Sequence, residues 1–376
     1  MISRVTADVL SDRALNRATL ARQLLLRRSS LSPLEAVEHL VGLQAQVPLS
    51  PYTALWSRLA GFQPAELARL LEERALVRIV VMRGTIHLVT ADDALLLRPL
   101  TQPVLDGQLA RHGEHKAALA GVDLQPVVAF ARPLLAQTPR TGAELRAALA
   151  ERFPEHDAAA LTEACRHLLP LVQVPPRGIW GKTLQPTSTT VEAWLGRPLA
   201  RRPSIDGVVL RYLGAFGPAS VADVAAWSRL TGFREVAERL RPRLRVFRSE
   251  RGVELFDLPD APRPDSAVAA PPRFLPEYDN VLLSHADRAR FRAPRARADF
   301  SRLSTRIQGT VLHDGYVAGV WRIERDRESG DATLVVDHVV PLSKRSASSI
   351  AAEGRRFLRF VAADAAALGV RFAALE

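Results

Sequence analysis

Apolar residues recur at helical spacing after three similar polar sequences. Each sequence begins with Ser or Thr, has an acidic residue three positions later, and continues into apolar positions three to four residues apart. This is the capping-box pattern or its Asp variant, in which the two side chains bind backbone N–H groups at a helix start. The pattern predicts short amphipathic helices. Their starting sequences are Ser32-Pro33-Leu34-Glu35, Thr141-Gly142-Ala143-Glu144 and Ser220-Val221-Ala222-Asp223.

Each capped helix lies between two further predicted helices, and a strand–turn–strand pattern closes each of the three units. The preceding helices are predicted at 15–28, 126–136 and 205–216. The following helices are predicted at 64–73, 158–168 and 233–240. The strand pairs are predicted within 77–89, 171–184 and 244–256. Three helices followed by a β-hairpin is typical of a winged helix, a variant of the helix-turn-helix, so the pattern indicates three tandem units.

The last hundred residues have a different pattern. Residues 259–272 are rich in Pro, Ala and Asp and indicate a linker. A hairpin with Asp314-Gly315 at its turn follows, then a strand at 333–340, a helix at 346–367 and a final strand at 370–375. The predicted fold is α+β, with tandem winged-helix units before a small β-rich domain. The predicted domains are 1–124, 125–200, 201–260 and 261–376.

The composition is that of a soluble globular protein. Hydrophobic residues make up 47% and charged residues 24% of the 376 residues. Apolar runs are too short to span a bilayer, and the first eight residues do not resemble a secretory signal. Cys165 is the only cysteine, which excludes an intrachain disulfide and a thiolate metal cluster. We therefore expect a cytoplasmic protein.

The formal net charge of +11 indicates a polyanionic partner, with nucleic acid first and a membrane surface second. Nearly all of the basic charge is arginine, which a G+C-rich genome also explains. Basic residues occur in all three predicted hairpins, where they would contact phosphates. The alternative is that charged hairpin tips only maintain solubility. The predicted DNA-binding residues are Arg83, His87, Arg177, Lys182, Arg248 and Arg251.

Two neutral amides, Gln44 and Gln46, flank Ala45 just after the first capped helix. Each amide offers an acceptor oxygen and two N–H donors, so the pair is suited to holding a water molecule. Such a pair serves an enzyme only if its leaving group departs easily. On spacing alone, a solvent-facing helix end is the simpler interpretation.

Three segments together resemble one known family. They are LSPLEAVEHLVGLQAQVPLSPYTALWSRL (31–59), MRGTIHLVT (82–90) and LPEYDNVLLSHADR (275–288), and the resemblance covers nearly the whole chain. The family is that of the AlkZ-like winged-helix DNA glycosylases, which includes azinomycin-type self-resistance enzymes. The resemblance implies tandem winged helices, a β-rich C-terminal domain and excision of bulky N7-alkylated purines, in some members with unhooking of interstrand crosslinks. It also implies that Gln44 and Gln46 are the catalytic motif in its Gln/Gln form.

The sequence thus predicts a monofunctional DNA glycosylase in which Gln44 and Gln46 position water. We expect it to act as a monomer on double-stranded DNA with N7-alkylpurine lesions, associated with the nucleoid when bound, and in self-resistance to a genotoxic natural product. No cofactor, metal, membrane contact or lyase activity is expected, and His112 and His115 are interpreted as surface residues. Glu277, Asp279 and Asp287 are expected to form internal ion pairs. The alternative is a non-catalytic winged-helix DNA-binding protein or transcription regulator.

Overall fold

The helices follow the order that the sequence predicts, with additional elements in the first unit. The computed structural model describes residues 8–111, 113–182, 184–292 and 308–374. The α-helices of this part of the chain are α1 (Asp12–Arg22), α2 (Pro33–His39), α3 (Ser50–Arg58), α4 (Pro64–Glu72), α5 (Ala91–Arg111), α6 (Gly113–Leu119), α7 (Gln125–Gln137), α8 (Gly142–Arg152), α9 (Ala158–Leu168), α10 (Val191–Leu195), α11 (Ile205–Phe216), α12 (Val221–Ser228), α13 (Phe233–Leu240) and α14 (Lys344–Val361).

The described strands form three sheets. The strands are β1 (Val9–Leu10), β2 (Leu43–Gln44), β3 (Leu76–Val80), β4 (Ile86–Thr90), β5 (Arg140–Thr141), β6 (Leu171–Gln173), β7 (Thr187–Thr190), β8 (Arg245–Ser249), β9 (Glu254–Asp257), β10 (Arg273–Leu275), β11 (Gly309–His313), β12 (Tyr316–Arg325), β13 (Ala332–His338) and β14 (Leu368–Ala374). Their orders are β1-β8-β9, β2-β4-β3-β6-β7-β5 and β10-β11-β12-β13-β14. The fold is therefore a mixed α and β fold.

All three predicted capping boxes form. At the starts of α2, α8 and α12 the Ser or Thr oxygen accepts from the third helical N–H, and the acidic side chain accepts from the cap residue. Because these contacts join residues three positions apart, the local sequence is sufficient to predict them. Helix α1 ends at Arg22 rather than at residue 28, since Leu24 adopts left-handed backbone with φ of 58°. Helix α5 was not anticipated, because Pro99 and Pro103 interrupt its pattern.

Two of the three predicted hairpins are confirmed, and the second is wrong in its partner strand. Strand β3 pairs antiparallel with β4, and β8 with β9. In the second unit, β6 pairs with Thr187–Thr190, whereas residues 180–182 are not in a strand and Thr183 lies outside the described residues. Trp180 instead packs against Tyr52 and Phe360, so tertiary packing overrides the strand pattern.

The first two units share one sheet. Strand β3 pairs with β6, with Arg78 opposite Gln173 and Ile79 opposite Val172. The sheet therefore crosses the expected domain boundary between residues 124 and 125. The largest hydrophobic core is also shared, because it combines Val77 of the first unit, Val172 of the second and Trp227 of the third. The units are thus held by common packing rather than by linkers alone.

The C-terminal domain has the predicted hairpin, helix and final strand. Asp314 and Gly315 both have positive φ, 47° and 78°, as a tight two-residue turn requires. Helix α14 packs against the sheet through Phe357 and Ile350. Most of the arginine-rich segment 288–306 falls in residues 293–307, outside the described part. Among the described residues, no helix is both long and apolar enough to cross a membrane.

A buried ion pair joins the first unit to the C-terminal domain. The guanidinium of Arg58 donates to both carboxylate oxygens of Asp279, each over 2.8 Å, and both side chains are almost completely buried. Oδ1 of Asp279, which accepts from Arg58 Nη2, also accepts from the backbone N–H of Val281. A second buried pair, Arg22 with Asp257, joins α1 to β9. The expected ion pairing of Asp279 and of Asp287, which contacts Arg251, is confirmed. Glu277 instead accepts from the Ser50 hydroxyl.

We predict that Asp279→Ala lowers the free energy of unfolding by about 3–5 kcal/mol, because it leaves the Arg58 charge buried without a partner. Chemical unfolding of the full chain measures the change. Glu73→Ala, which removes an exposed ion pair with Arg69, is the matched control and should cost less than about 0.5 kcal/mol. Equal effects of the two substitutions would contradict the structural role of the buried pair.

Candidate active site

The segment Gln44-Ala45-Gln46 is fixed to the first hairpin. Strand β2 pairs antiparallel with β4, with Gln44 opposite His87, and the N–H of Ala45 donates to the Ile86 carbonyl over 2.8 Å. Gly42, with φ of +91°, permits this close approach, because a Cβ there would lie 2.7 Å from Val89 Cγ1. Ala45 is completely buried. The segment is therefore not a helix end, and of its two glutamines Gln44 is buried whereas Gln46 faces solvent.

Gln44 is held by Arg83. The side chain of Gln44 is 7% exposed, and its Oε1 accepts from Arg83 Nη2 over 2.6 Å. The same guanidinium nitrogen donates to Asn280 Oδ1 over 2.7 Å, while Nη1 donates to the Trp227 carbonyl over 2.9 Å. Since a guanidinium only donates, Gln44 must turn its oxygen toward Arg83 and its NH₂ group away. Arg83 thus links the first unit, the third unit and the C-terminal domain.

Arg83 has an unusual setting for a charged side chain. Its backbone is left-handed, with φ of 59°, and its carbonyl accepts from Gln108 Nε2 over 3.1 Å. No carboxylate of the described residues forms an ion pair with it. Burial first, and then the nearby positive charges of Arg229 and Arg288, lower the pKa of Arg83 to about 10. Its positive charge is therefore uncompensated by any described side chain.

His87 lies beside Arg83 in the interior. It is completely buried, and its Nδ1 is 3.0 Å from the Thr85 carbonyl, which can only accept. Its Nε2, 3.3 Å from Arg83 Nη2, is therefore the acceptor of a neutral ring. Burial first, and then the Arg83 charge, lower the pKa of His87 to about 3. In this structure a phosphate cannot reach His87, so its predicted DNA contact has no access.

Gln46 is exposed, unlike Gln44, but the orientation of its amide group is also fixed. Its side chain is exposed, and its Oε1 accepts from the backbone N–H of Ile86 over 3.2 Å. Because the N–H only donates, the amide orientation is again fixed. Within the described part of the chain, neither glutamine NH₂ group has a protein partner. Each amide thus keeps two donors and one acceptor lone pair for other molecules.

Gln44 and Arg83 line an open cleft of about 860 Å³ between the first unit, the third unit and the C-terminal domain. Arg111, Arg229 and Arg288 also line it, and none of the lining residues described is Asp or Glu. None of these three arginines forms an ion pair within the described residues. His285 is at the wall, where burial lowers its pKa, so it is neutral at physiological pH. The cleft is consequently strongly positive.

The other predicted DNA-binding residues lie apart from this cleft. Arg177 and Lys182 are in the loop between β6 and β7, where Arg177 donates to the Leu184 carbonyl and Lys182 is exposed. Arg248 is exposed on β8. Arg251 is paired with Asp12 and Asp287, with its Nη2 2.7 Å from Asp287 Oδ2. Of the six residues predicted from the hairpins, only Arg83 and His87 adjoin Gln44.

The sequence interpretation missed Asn280 and the arginines of the cleft. Asn280 donates to the Gly42 carbonyl over 3.2 Å as well as accepting from Arg83. It lies within the segment LPEYDN, which was noted only as part of a resemblance. Arg111 and Arg229 stand at the ends of helices α5 and α12, where the sequence around them has no distinctive pattern. Only the tertiary fold brings them to one cleft. Tyr52 is completely buried and Trp56 packs against Phe357, so both belong to the core.

No metal site forms from the described side chains. A search of these residues finds no group of three His, Cys, Asp or Glu side chains close enough to hold an ion. His112 lies outside the described residues. The polar groups nearest Gln44 are the guanidinium of Arg83, the amide of Asn280 and the neutral ring of His87.

Comparisons with known proteins agree with this architecture. Residues 37–360 match the family model described as DNA glycosylase AlkZ-like. The chain is 26% identical over 345 residues to an interstrand DNA cross-link repair glycosylase of Streptomyces sahachiroi, covering 80% of this chain and 85% of that protein. The solved structure of S. sahachiroi DNA glycosylase AlkZ superposes with a TM-score of 0.75 at 22% identity, over 97% of this chain and 100% of that chain.

The match to the family model spans most of the chain, and the structural likeness extends over nearly all of it. The resemblance noted from the sequence is confirmed: this chain belongs to the AlkZ-like family of DNA glycosylases.

Proposed function

We propose that this DNA glycosylase hydrolyses the N-glycosidic bond of bulky N7-alkylated purines in duplex DNA, with Gln44 and Gln46 positioning the attacking water. The observation that carries the proposal is the placement of Gln44 at a cleft lined by arginines and, among the described residues, by no carboxylate, with Gln46 two residues further on at a neighbouring cavity. Phosphates and a water molecule fit such a surface. The family gives the enzyme class, and the lining of the cleft supports the proposed site.

Two amides suffice because the leaving group is already activated. Alkylation at N7 gives the purine a positive charge, so the base departs as a neutral molecule without a general acid. The remaining task is to hold water against the sugar carbon as an oxocarbenium-like sugar develops. Each glutamine oxygen retains a lone pair for a water proton, and the NH₂ groups donate to neighbouring oxygens. Fixed positioning of this kind lowers the barrier by several kcal/mol.

The proposed product is an abasic site rather than a nicked strand. A lyase step requires an amine nucleophile to form a Schiff base with the sugar. The chain has only Lys116, Lys182 and Lys344, and none of them lines the described cleft. The reaction therefore ends at hydrolysis.

The proposed DNA contacts are centred on the cleft arginines rather than on the hairpin tips. Arg111, Arg229 and Arg288 are free of ion pairs in the described structure and can bind phosphate with two N–H groups each. We propose that the three helical units act as tandem winged helices and grip the duplex as a monomer. By similarity to the S. sahachiroi cross-link repair glycosylase, the proposed substrates include interstrand crosslinks. A role in self-resistance and a location at the nucleoid stay predictions from the sequence.

Gln44→Ala and Gln46→Ala should each reduce the single-turnover rate of base release about 100-fold, the size of effect seen when one fixed polar group of a catalytic site is lost. Release of N7-methylguanine and N7-benzylguanine from a duplex oligonucleotide measures it. Gln137→Ala, an exposed glutamine on α7, is the matched control and should leave the rate unchanged. Strand scission by the wild type without added base, or full activity of both variants, would refute the proposed mechanism. Sequence-selective binding without base release would indicate a regulator.

Arg83→Met should lower the rate of base release at saturating enzyme by about 10-fold or more, because Gln44 loses the donor that orients it. Arg83→Lys should lower the rate almost as much as Arg83→Met, since an ammonium lacks the planar fork that contacts Gln44, Asn280 and Trp227 at once. Arg288→Met, which removes a cleft arginine without a contact to Gln44, is the matched control and should mainly weaken DNA binding. If Arg83→Met changes only the dissociation constant, Arg83 is a phosphate ligand and not a positioning residue.

Arg229→Ala and Arg288→Ala should each reduce the slope of log binding constant against log salt concentration by about 1, the value expected for one lost phosphate contact. Fluorescence anisotropy over a salt series measures the slope. Arg327→Ala, in the exposed turn between β12 and β13, should leave it unchanged. Unaltered slopes for both cleft variants would place the DNA elsewhere on the protein.

A further inference from the structure

A second cavity adjoins the catalytic segment on the side of Gln46. It has a volume of about 420 Å³, and Gln46 and Gly84 line it. Gln108 lines both this cavity and the arginine cleft. A Cβ on Gly84 would lie only 2.1 Å from Gln108 Oε1, so the Gln108 amide lies directly over Gly84. The two spaces are therefore neighbours, with Gln108 between them.

The walls of this cavity, which we call the Gln46 cavity, combine apolar and polar side chains. Strands β3, β4, β6 and β7 and helices α5, α7, α8 and α9 contribute to it. Its volume lies within the range of about 300–1,000 Å³ typical of small-molecule sites. The apolar side chains on its lining include Ile79, Ile86, Leu105, Leu135, Leu145 and Leu169.

The charged groups of the Gln46 cavity are mostly engaged by the protein. Arg98 donates to the carbonyls of His167 and Leu169, over 2.8 and 3.2 Å. Arg166 pairs with Glu163 over 3.2 Å. Arg78 donates to Gln173 Oε1 over 3.1 Å. Arg140 is the exception, as it has no ion-pair partner among the described residues.

The two spaces therefore offer different chemistry. The cleft beside Gln44 presents arginines without carboxylates, which suits phosphates. The Gln46 cavity places apolar side chains beside polar ones, with free donors on Arg140 and on the NH₂ groups of Gln46 and Gln173. Such a lining fits a compact group that combines apolar surface with hydrogen-bond acceptors.

Resting on the glycosylase function proposed above, we infer that the Gln46 cavity receives the bulky substituent of the alkylated base. Both amides can hold the attacking water only if the target sugar lies against the segment between them. The strand phosphates then occupy the cleft on the Gln44 side, and the base with its substituent lies on the Gln46 side. The cavity determines how large a substituent the enzyme accepts.

Filling the cavity tests this assignment. Ser188, half-buried on β7, lines the cavity, and Ser188→Phe would occupy part of it. We expect kcat/KM for N7-benzylguanine in duplex DNA to fall about 10-fold or more, with less than about twofold change for N7-methylguanine. Both lesions carry the same charge, so only the size of the substituent differs. The matched control is Thr187→Phe, whose side chain points to the opposite face of the strand.

A fall of equal size for both lesions, or no fall for either, would overturn the inference. Product inhibition of the wild-type enzyme gives an independent test, because it does not require that any variant folds correctly. Free 7-benzylguanine should inhibit base release more strongly than free 7-methylguanine, and equal inhibition would also overturn the assignment. Failure of the wild type to release either lesion would instead refute the glycosylase function on which the inference rests.

Discussion

The geometry of the segment Gln44-Ala45-Gln46 depends on the buried pair between Arg58 and Asp279. This pair holds the start of the C-terminal domain against α3, and Asp279 at the same time caps the turn that begins with Asn280. Asn280 is thereby placed where it accepts from Arg83 and donates to the Gly42 carbonyl. Arg83 in turn orients Gln44. A domain distant in sequence therefore fixes an amide in the first unit, through contacts that tolerate little displacement because each hydrogen bond has a short, defined geometry.

The neutral amide at position 44 also affects the electrostatic potential of the cleft. Arg83 has no carboxylate partner among the described residues, and Gln44 satisfies its N–H groups without cancelling its charge. A carboxylate in the same place would form an ion pair with Arg83 and reduce the positive potential of the cleft. The amide therefore keeps the cleft attractive to phosphates while its own orientation is fixed in advance. Preorganised dipoles of this kind need no rearrangement when charge develops on the sugar.

The sequence predicted the features that depend on residues close together in the chain. It failed for features that depend on contacts between residues far apart in the chain. The capping boxes at Ser32, Thr141 and Ser220 involve side chains three positions apart, so their pattern was sufficient. The second hairpin was misplaced because Trp180 packs against Tyr52 and Phe360, which are far away in sequence.

The same distinction holds within the candidate site. The Gln-x-Gln segment and the position of Arg83 were visible as motifs, but their roles required the fold. Whether a basic side chain in a hairpin faces phosphate or an amide depends on what packs over it, and here that is Asn280 and Trp227. His87 shows the same point, since complete burial and the Arg83 charge keep its ring neutral. Periodicity alone contains no information about these contacts.

The proposed selectivity for bases alkylated at N7 is consistent with the proton donors that the described lining of the cleft offers. An undamaged purine leaves slowly as an anion unless an acid protonates it. The ionisable groups of this lining are arginines, which retain their protons, the phenol of Tyr278, and His285, which burial keeps neutral. His87, just behind Gln44, is neutral for the same reason. A site built in this way has no strong acid to offer a normal base, whereas a base alkylated at N7 already carries the charge that departure requires. Under the proposed mechanism, discrimination resides in the substrate's own chemistry, and the protein needs only to hold the sugar, the water and the substituent in place.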